Sequence, residues 1–166
     1  MASRSGMGTA AMGLAAAIAA TLAVPAGAQR YEQRLTHSVA PCQGSGPAVW
    51  LHVTNIKSST GKMRVQLYRA VAADWLERGR WLNRIELPAQ AGSMSICMPV
   101  PAPGDYAIAI RHDANNNNDT DIGVDGGGMS NNPSINIFNL GRPSVDRTRF
   151  SIGREVLPMT IRMRYL

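Results

Sequence analysis

Apolar side chains recur at every second position in several short segments, a spacing that places them on one face of a β-strand. The clearest segment follows a Pro/Gly-rich turn, where Tyr106, Ile108 and Ile110 alternate with Ala107, Ala109 and Arg111. The other segments with this alternation are 49–54, 63–68, 85–87, 93–98, 150–152 and 157–165. Short strands separated by turn residues predict an all-β fold, an antiparallel β-sandwich of about seven strands.

The order of these segments leads to two finer expectations. Only the turn residues at 58–61 interrupt the alternation between segments 49–54 and 63–68, so we expect these two strands to pair as a hairpin. Between residues 72 and 83, Trp75, Leu76 and Leu82 recur at roughly helical spacing that Gly79 interrupts, which predicts one short helix or a turn.

The first 28 residues have the pattern of an export signal. Arg4 precedes an apolar run at 10–24, and Ala26-Gly27-Ala28 matches a cleavage site. The run is shorter than the roughly 20 residues that a membrane-spanning helix needs, so we expect cleavage near Ala28 and no membrane span. The product is expected in the periplasm or outside the cell, with a lead-in segment at 29–47 and a β-sandwich domain at 48–166.

Cys42 and Cys97 are the two cysteines of the chain. Disulfides persist in exported proteins and an even count leaves no spare thiol, so we expect the two residues to pair. Two buried free thiols are the alternative. Neither cysteine has a partner at the spacing of a CxxC redox motif or of a zinc site.

The segment 112–141 differs from the rest of the chain in charge. The 17 basic and 11 acidic residues of the whole chain give a net charge of +6, or +5 once Arg4 is removed with the signal. The segment itself holds four Asp and no Lys or Arg, so it carries −4 and the rest of the exported chain +9. A stretch this long without strand alternation is unusual unless something orders it.

Oxygen-bearing side chains in this segment follow the spacing of a calcium loop. Positions 1, 3, 5, 7 and 9 of such a loop are filled by Asp113, Asn115, Asn117, Asp119 and Asp121, and position 7 contributes its backbone carbonyl rather than its side chain. Asn118 stands where the sharp turn usually has Gly, and Val124 where a bidentate Glu is usual, with Asp125 as a substitute one residue later. A solvated polar loop is the alternative. Ca²⁺ suits hard oxygen ligands in an exported protein and is the one cofactor we expect.

Motifs for catalysis are absent from the sequence. His37, His52 and His112 lie far apart, and there is no G-x-S-x-G or H-E-x-x-H pattern. His112 beside Asp113 could act as a metal ligand or a base, but a structural hydrogen bond is the simpler role. We therefore assign no catalytic residue and expect that the protein is not an enzyme.

Three tryptophans could stack on a sugar. Trp50 lies beside His52 on the outward face of a predicted strand, which favours a surface position. For Trp75 and Trp81, packing against the sandwich core is the simpler interpretation, because large aromatic residues usually fill cores.

A pattern of residues links the loop to the strands around it. It comprises Tyr106 to Asp113, then Asn115, Asn117 and Asp121, then Met129-Ser130-Asn131-Asn132, then Pro143-Ser144-Val145 and Phe150. This pattern resembles an exported bacterial family known as domain of unknown function 2141, in which a strand is followed by H-D-x-N-x-N-G-x-x-D, F-S-N-N and P-S-F. The resemblance extends from about Val49 to the C-terminus. It implies an Ig-like or transthyretin-like β-sandwich of unassigned activity, and it supplies no catalytic residue.

These observations together predict an exported, non-enzymatic binding or structural module. The Asp/Asn segment is expected to bind calcium and so to order a surface that recognises an unknown protein or glycan. The alternative is a carbohydrate-binding or hydrolytic accessory protein that uses the same loop. Binding of nucleic acid is not expected, because Lys and Arg are scattered along the sequence rather than clustered.

Overall fold

A computed structural model describes Met1 and residues 30–44, 46–135 and 141–165. Within these residues the elements, in chain order, are β1 (Gln33–Leu35), α1 (Ala40–Gln43), β2 (Ala48–Ile56), β3 (Lys62–Arg69), β4 (Trp81–Pro88), β5 (Gly92–Pro99), β6 (Gly104–Asp113), β7 (Gly126–Met129), α2 (Val145–Thr148), β8 (Phe150–Ile152), β9 (Val156–Arg162) and β10 (Arg164–Tyr165).

The described strands form two sheets. The large sheet has the order β1-β4-β3-β6-β7-β10, and β8 pairs with the beginning of β6. The small sheet has the order β5-β2-β9. The all-β sandwich predicted from the alternation is therefore confirmed.

The alternating apolar residues meet between the two sheets. Leu51 and Val53 of the small sheet belong to one buried cluster with Val65, Leu67 and Ile108 of the large sheet. Complete burial of a side chain of this size stabilises a fold by about 1.5–3 kcal/mol. This shared cluster is what holds the sheets together.

The strands β2 and β3 do not pair with each other, so the predicted hairpin of 49–54 and 63–68 is wrong. β2 lies between β5 and β9 in the small sheet, whereas β3 lies between β4 and β6 in the large sheet. A register irregularity at Asn55, whose φ is +61°, precedes the crossing of the chain from one sheet to the other. Strands that face each other across a core bury one face each, just as hairpin partners do, so alternation cannot distinguish the two arrangements.

Strand orientation is mixed rather than purely antiparallel. β1 runs parallel to β4, and β9 runs parallel to β2. The other pairs among the described strands are antiparallel. The closing strand β9 thus enters the small sheet beside a strand from the beginning of the domain.

Of the two alternatives for residues 72–83, a short helix or a turn, the structure has the turn. Residues 72–76 form turns, and β4 begins at Trp81. Positive φ values at Leu76 (+58°) and Gly79 (+74°) break any helical path. Apolar residues of this irregular connection pack on the outer face of the large sheet, and their spacing only imitates that of a helix.

The disulfide predicted between Cys42 and Cys97 is confirmed. It joins α1 to β5 of the small sheet, while β1, from the same lead-in segment, pairs with β4 of the large sheet. The lead-in segment 29–47 therefore contacts both layers of the sandwich.

The predicted export signal at 1–28 lies outside the described residues, apart from Met1. Neither α1 nor α2, the helices of the described part of the chain, has the length or the apolar character to cross a bilayer.

Removal of the disulfide tests its contribution to stability. The bridge spans a sequence separation of 55 residues, and restricting the unfolded chain over that length contributes about 4 kcal/mol. We expect the double variant Cys42→Ser/Cys97→Ser to lose about that much free energy of unfolding in guanidinium denaturation. Reducing agent should have the same effect on the unaltered protein and none on the variant. Equal denaturation midpoints for the two proteins would contradict the assignment.

Candidate functional site

The Asp/Asn loop, residues 113–125, connects β6 to β7 and begins with a buried carboxylate. Asp113 is fully buried and lies opposite Lys62 in the pairing of β6 with β3. Its Oδ1 accepts a hydrogen bond from the Asn117 N–H (3.1 Å), and its Oδ2 accepts one from the Asn118 N–H (3.0 Å). Arg111 and Lys62 provide positive charge at 3.5 and 3.9 Å from Oδ2. A buried carboxylate is tolerable only with such partners.

Asp125, at the other end of the loop, is also buried and also binds main-chain N–H groups. Its two oxygens accept hydrogen bonds from Ala114 (3.0 Å) and Asp121 (3.1 Å). Each end of the loop thus carries a carboxylate that binds backbone from within the loop. These contacts give the segment a defined conformation without regular secondary structure.

Two asparagines make the tight bends of the loop. Asn116 and Asn118 have φ values of +59° and +70°, in the left-handed region that Asn tolerates better than other residues with a side chain. The sharp turn expected at Asn118, where calcium loops usually have Gly, is therefore present.

Four of the five predicted ligand residues converge. Asn115 Nδ2 and Asn117 Nδ2 each donate a hydrogen bond of 2.7 Å to the same oxygen of Asp121. Asp113 Oδ1 and Asn115 Oδ1 both accept from the Asn117 N–H, at 3.1 and 3.3 Å. The two amide side chains lower the pKa of Asp121 because they stabilise its charged form. Asp119 is exposed and joins this set through its main-chain N–H, which donates to Asn117 Oδ1 (2.9 Å).

The converging set is poor in carboxylates. It holds Asp113 and Asp121, and its other members are amides. Among the described residues, no group of three or more His, Cys, Asp or Glu side chains is placed to hold a metal ion. The assignment of the five residues as calcium ligands stays a prediction.

Basic residues of the large sheet hold the loop in place. Asn118 Oδ1 accepts hydrogen bonds from Lys62 Nζ (2.6 Å) and Arg64 (3.1 Å). Arg111 donates to the Asn118 carbonyl (2.7 Å) and to Thr120 Oγ1 (3.0 Å). Part of the positive charge of the sandwich therefore lies directly against the acidic segment.

An arginine row crosses the outer face of the large sheet and consists of Arg64, Arg111 and Arg164. Arg64 lies opposite Arg111, and Gly127 lies opposite both Arg111 and Arg164. Glu86 flanks the row and accepts a hydrogen bond of 2.5 Å from Arg64 Nε. The expectation that basic residues are scattered is therefore wrong here, because the strand register gathers residues that are far apart in sequence.

A cavity of about 500 Å³ lies over this row. One side is formed by Asp121 and Ile122 of the Asp/Asn loop, and the other by Leu76 and Arg142. The loop therefore contributes a wall to the cavity, and its conformation affects the shape of the space.

The predicted structural role of His112 agrees with its contacts. The ring is fully buried, with Nε2 2.8 Å from the Thr60 carbonyl and Nδ1 2.7 Å from the Tyr165 hydroxyl. A carbonyl only accepts, so Nε2 carries the proton towards Thr60. The Tyr165 oxygen also accepts a hydrogen bond from the Lys57 N–H (3.0 Å). When His112 is neutral, the hydroxyl proton of Tyr165 points to Nδ1 of the histidine. Burial raises the pKa of Tyr165, which keeps this hydroxyl protonated.

The tryptophans lie apart from the Asp/Asn loop. Trp50 is half-buried on the small sheet, opposite Cys97. Trp75 and Trp81 are buried with Tyr68 in a second apolar cluster of the described residues, on the outer face of the large sheet. The packing role predicted for these two residues is confirmed, although they do not lie between the sheets.

Strand β7 was not predicted from the sequence, because glycine has no side chain and so gives no alternation of apolar and polar residues. A Cβ at Gly126 would approach the Tyr165 ring to 2.4 Å, and one at Gly128 would come within 2.9 Å of Ile161 and Met163. The two glycines therefore permit close packing of β7. No periodic pattern in the sequence could have located this strand.

These features define a two-sheet all-β sandwich whose larger sheet carries an Asp/Asn loop and an arginine row on its outer face. A family model described as "Uncharacterized protein conserved in bacteria (DUF2141)" matches residues 51–160. The chain belongs to this family, which confirms the resemblance seen around the loop. Comparisons with curated proteins and with solved structures gave no match.

Neutralising Asp113 tests its place in the loop. The variant Asp113→Asn leaves Lys62 and Arg111 without their buried counter-charge, so we expect the free energy of unfolding to fall by about 3 kcal/mol. The exposed Asp119→Asn serves as the control and should change stability by less than about 0.5 kcal/mol. Urea denaturation measures both. Equal effects of the two substitutions would show that the Asp113 carboxylate does not anchor the loop.

Proposed function

We propose that this protein is an exported, non-enzymatic binding module and that its Asp/Asn loop binds Ca²⁺. The observation that carries the proposal is the set of shared hydrogen bonds that links four of the predicted ligand side chains in the loop. Asn115 and Asn117 share one oxygen of Asp121, and Asp113 and Asn115 share one N–H. This is the grouping that the 1-3-5-9 spacing of a calcium loop requires.

The ion would be held by two carboxylates and by amide oxygens. Rotation of the Asn115 and Asn117 amides about Cβ–Cγ would turn Oδ1 instead of Nδ2 towards the shared point. It would also break the hydrogen bonds that these two Oδ1 atoms accept from the Asn117 and Asp119 N–H groups, so ion binding has this cost. Lys62 and Arg111 already lie beside Asp113 and would repel a cation. We therefore expect weak binding, with a Kd of about 1 mM, in the range of extracellular calcium modules.

Calcium would act by fixing one wall of the cavity. Loops that a rigid scaffold positions are the usual place for recognition, and this loop lies on the outer face of the large sheet. An ion at Asp121 would restrain the residues around it, Ile122 among them, and so the rim of the cavity.

The proposal that the protein is not an enzyme is supported by the burial of its most reactive pair of side chains, His112 and Asp113. His112 has both ring nitrogens engaged, and Asp113 is covered by main-chain and basic partners. The carbohydrate-binding or hydrolytic alternative stays a prediction. No contact among the described residues favours it, and Trp50 lies on the small sheet.

Export is supported by the disulfide, which suits an oxidising compartment. The signal-like pattern at 1–28 is the second support. A periplasmic or secreted location follows from these two features together.

Calcium titration tests the loop. We expect saturable shifts of the Asn115, Asn117 and Asp121 amide resonances, with a Kd of about 1 mM. Mg²⁺ should bind more weakly, because it demands near-octahedral geometry. The variant Asp121→Asn should weaken calcium binding about tenfold or more, because it removes one of the two charges, while Asp119→Asn should leave it unchanged. A flat titration up to about 10 mM, or the same Kd in Asp121→Asn as in the unaltered protein, would reject the calcium site.

Export is tested by expressing the whole chain in a Gram-negative host and measuring the intact mass in each cell fraction. The expected product is periplasmic and begins at Gln29. Arginine at two positions of the cleavage pattern, Ala26→Arg/Ala28→Arg, should block processing, whereas Ser5→Ala should not. A cytoplasmic product that retains residues 2–28 would contradict the proposal.

A further inference from the structure

The arginine row brings like charges into direct opposition. Arg64 and Arg111 occupy facing positions of β3 and β6, and Arg164 follows in the same row beyond Gly127. Facing like charges destabilise a sheet. Glu86 and Asp113 offset part of this repulsion, and an anion lying over the row beside Arg164 would relieve the rest.

The hydrogen-bond partners of the arginine row within the protein do not occupy all of its N–H donors. Arg111 Nε is buried without a hydrogen-bond partner among the described residues. Burial and the charge of Arg64 lower the pKa of Arg111, which means that its surroundings disfavour the cation. Arg164 is exposed and, among the described residues, has no hydrogen bond or ion pair through its side chain. Arg164 thus offers its donors directly to a ligand at the cavity floor, whereas Arg111 Nε is covered and adds an uncompensated polar group beneath it.

Gly127 keeps the floor open. A Cβ at this position would meet only Ile135, at 3.9 Å, in contrast to the glycines on either side of it. Packing of the sheet therefore does not require glycine here, and the missing side chain leaves space between Arg111 and Arg164.

The walls of the cavity are apolar. Tyr68, Leu76, Ile122 and Met129 line it, and Ile122 is 76% exposed at the rim. The volume of about 500 Å³ is typical of a small-molecule site. An apolar wall above a charged floor suits a ligand with two chemically different ends.

The lining as a whole is positive. The arginine row and Arg142 provide four cations, against the carboxylates of Asp121 and Asp125, which leaves +2. Asp125 is already committed to two main-chain N–H groups. Arg142 is paired with Glu77 at the rim, so the charge facing the cavity is concentrated at its floor.

We infer that this cavity binds a small amphipathic anion, with a carboxylate or phosphate group on the arginine row and a short apolar chain or ring against the wall. Guanidinium groups bind both kinds of head group through paired N–H donors. A cavity of this size with apolar walls favours such a ligand over a nucleic acid, which needs an extended basic track. This site adjoins the proposed calcium site and shares Asp121 with it, but anion binding does not require a bound ion.

Four probes with apolar chains of seven or eight carbons separate charge from hydrophobicity. The whole chain is titrated in chelator with octanoate, octyl phosphate, octanol and octylamine, and binding is followed by NMR of the Gly127 amide and the Met129 methyl group. We expect both anions to bind. Octanol and octylamine should bind at least about tenfold more weakly than the anions. Octanol binding as tightly as octanoate, or anions that leave the Gly127 and Met129 resonances unmoved, would overturn the inference.

Variants then locate the site. Arg164→Gln removes a side chain that has no hydrogen bond or ion pair within the described part of the chain, and it should weaken octanoate binding about tenfold. Gly127→Leu leaves every arginine in place and should abolish binding by filling the floor. Arg154→Gln, an exposed arginine in the turn before β9, is the matched control and should bind as the unaltered protein does. Unchanged binding in both Arg164→Gln and Gly127→Leu would overturn the inference, as would tighter binding of single-stranded DNA that Gly127→Leu does not affect.

Because these titrations contain chelator, their outcome is independent of calcium. Failure of the calcium proposal would leave the anion result intact. Failure of the anion proposal would likewise leave the calcium titration of the Asp/Asn loop unaffected.

Discussion

The burial of one carboxylate, Asp113, organises the outer face of the large sheet. A charge that is fully removed from water is tolerable only with strong partners, and Asp113 obtains them from Lys62, Arg111 and the main chain of the loop. These contacts join β3, β6 and the Asp/Asn loop. They also orient Arg111, whose remaining donors reach Thr120 and the Asn118 carbonyl. The positions of the loop that forms the cavity wall and of the cavity floor therefore depend on the single carboxylate of Asp113.

The fold could be predicted from the sequence as far as its elements, but not its pairings. Alternation located β2, β3, β5 and β6, because each buries one face in the shared core. The same alternation arises in a hairpin and in strands that face each other across a sandwich, so it placed β2 beside β3 wrongly. Partners also depend on contacts over long sequence separations, such as that of β2 with β9. Nothing local in the sequence encodes such contacts.

The candidate site could be predicted in part for a similar reason. Spacing brought Asp113, Asn115, Asn117 and Asp121 together, since alternate residues of a tight loop point the same way. The basic residues that meet this loop belong to strands β3 and β6 and were not predicted, because their approach depends on register. The arginine row has the same origin. The composition gives the number of arginines in the chain, but their positions side by side follow only from the pairing of the strands.

The position of β9 beside β2 bears on how the chain assembles. The central strand of the small sheet has its parallel neighbour about 100 residues later, near the end of the domain. Until that neighbour is available, one edge of β2 has unpaired backbone N–H and C=O groups, and such an edge is a template for association with other chains. A fold in which many contacts join residues far apart in the sequence also folds more slowly. A chain that is cut short before β9, or held back during passage across a membrane, would therefore be vulnerable to aggregation at the middle of its own core.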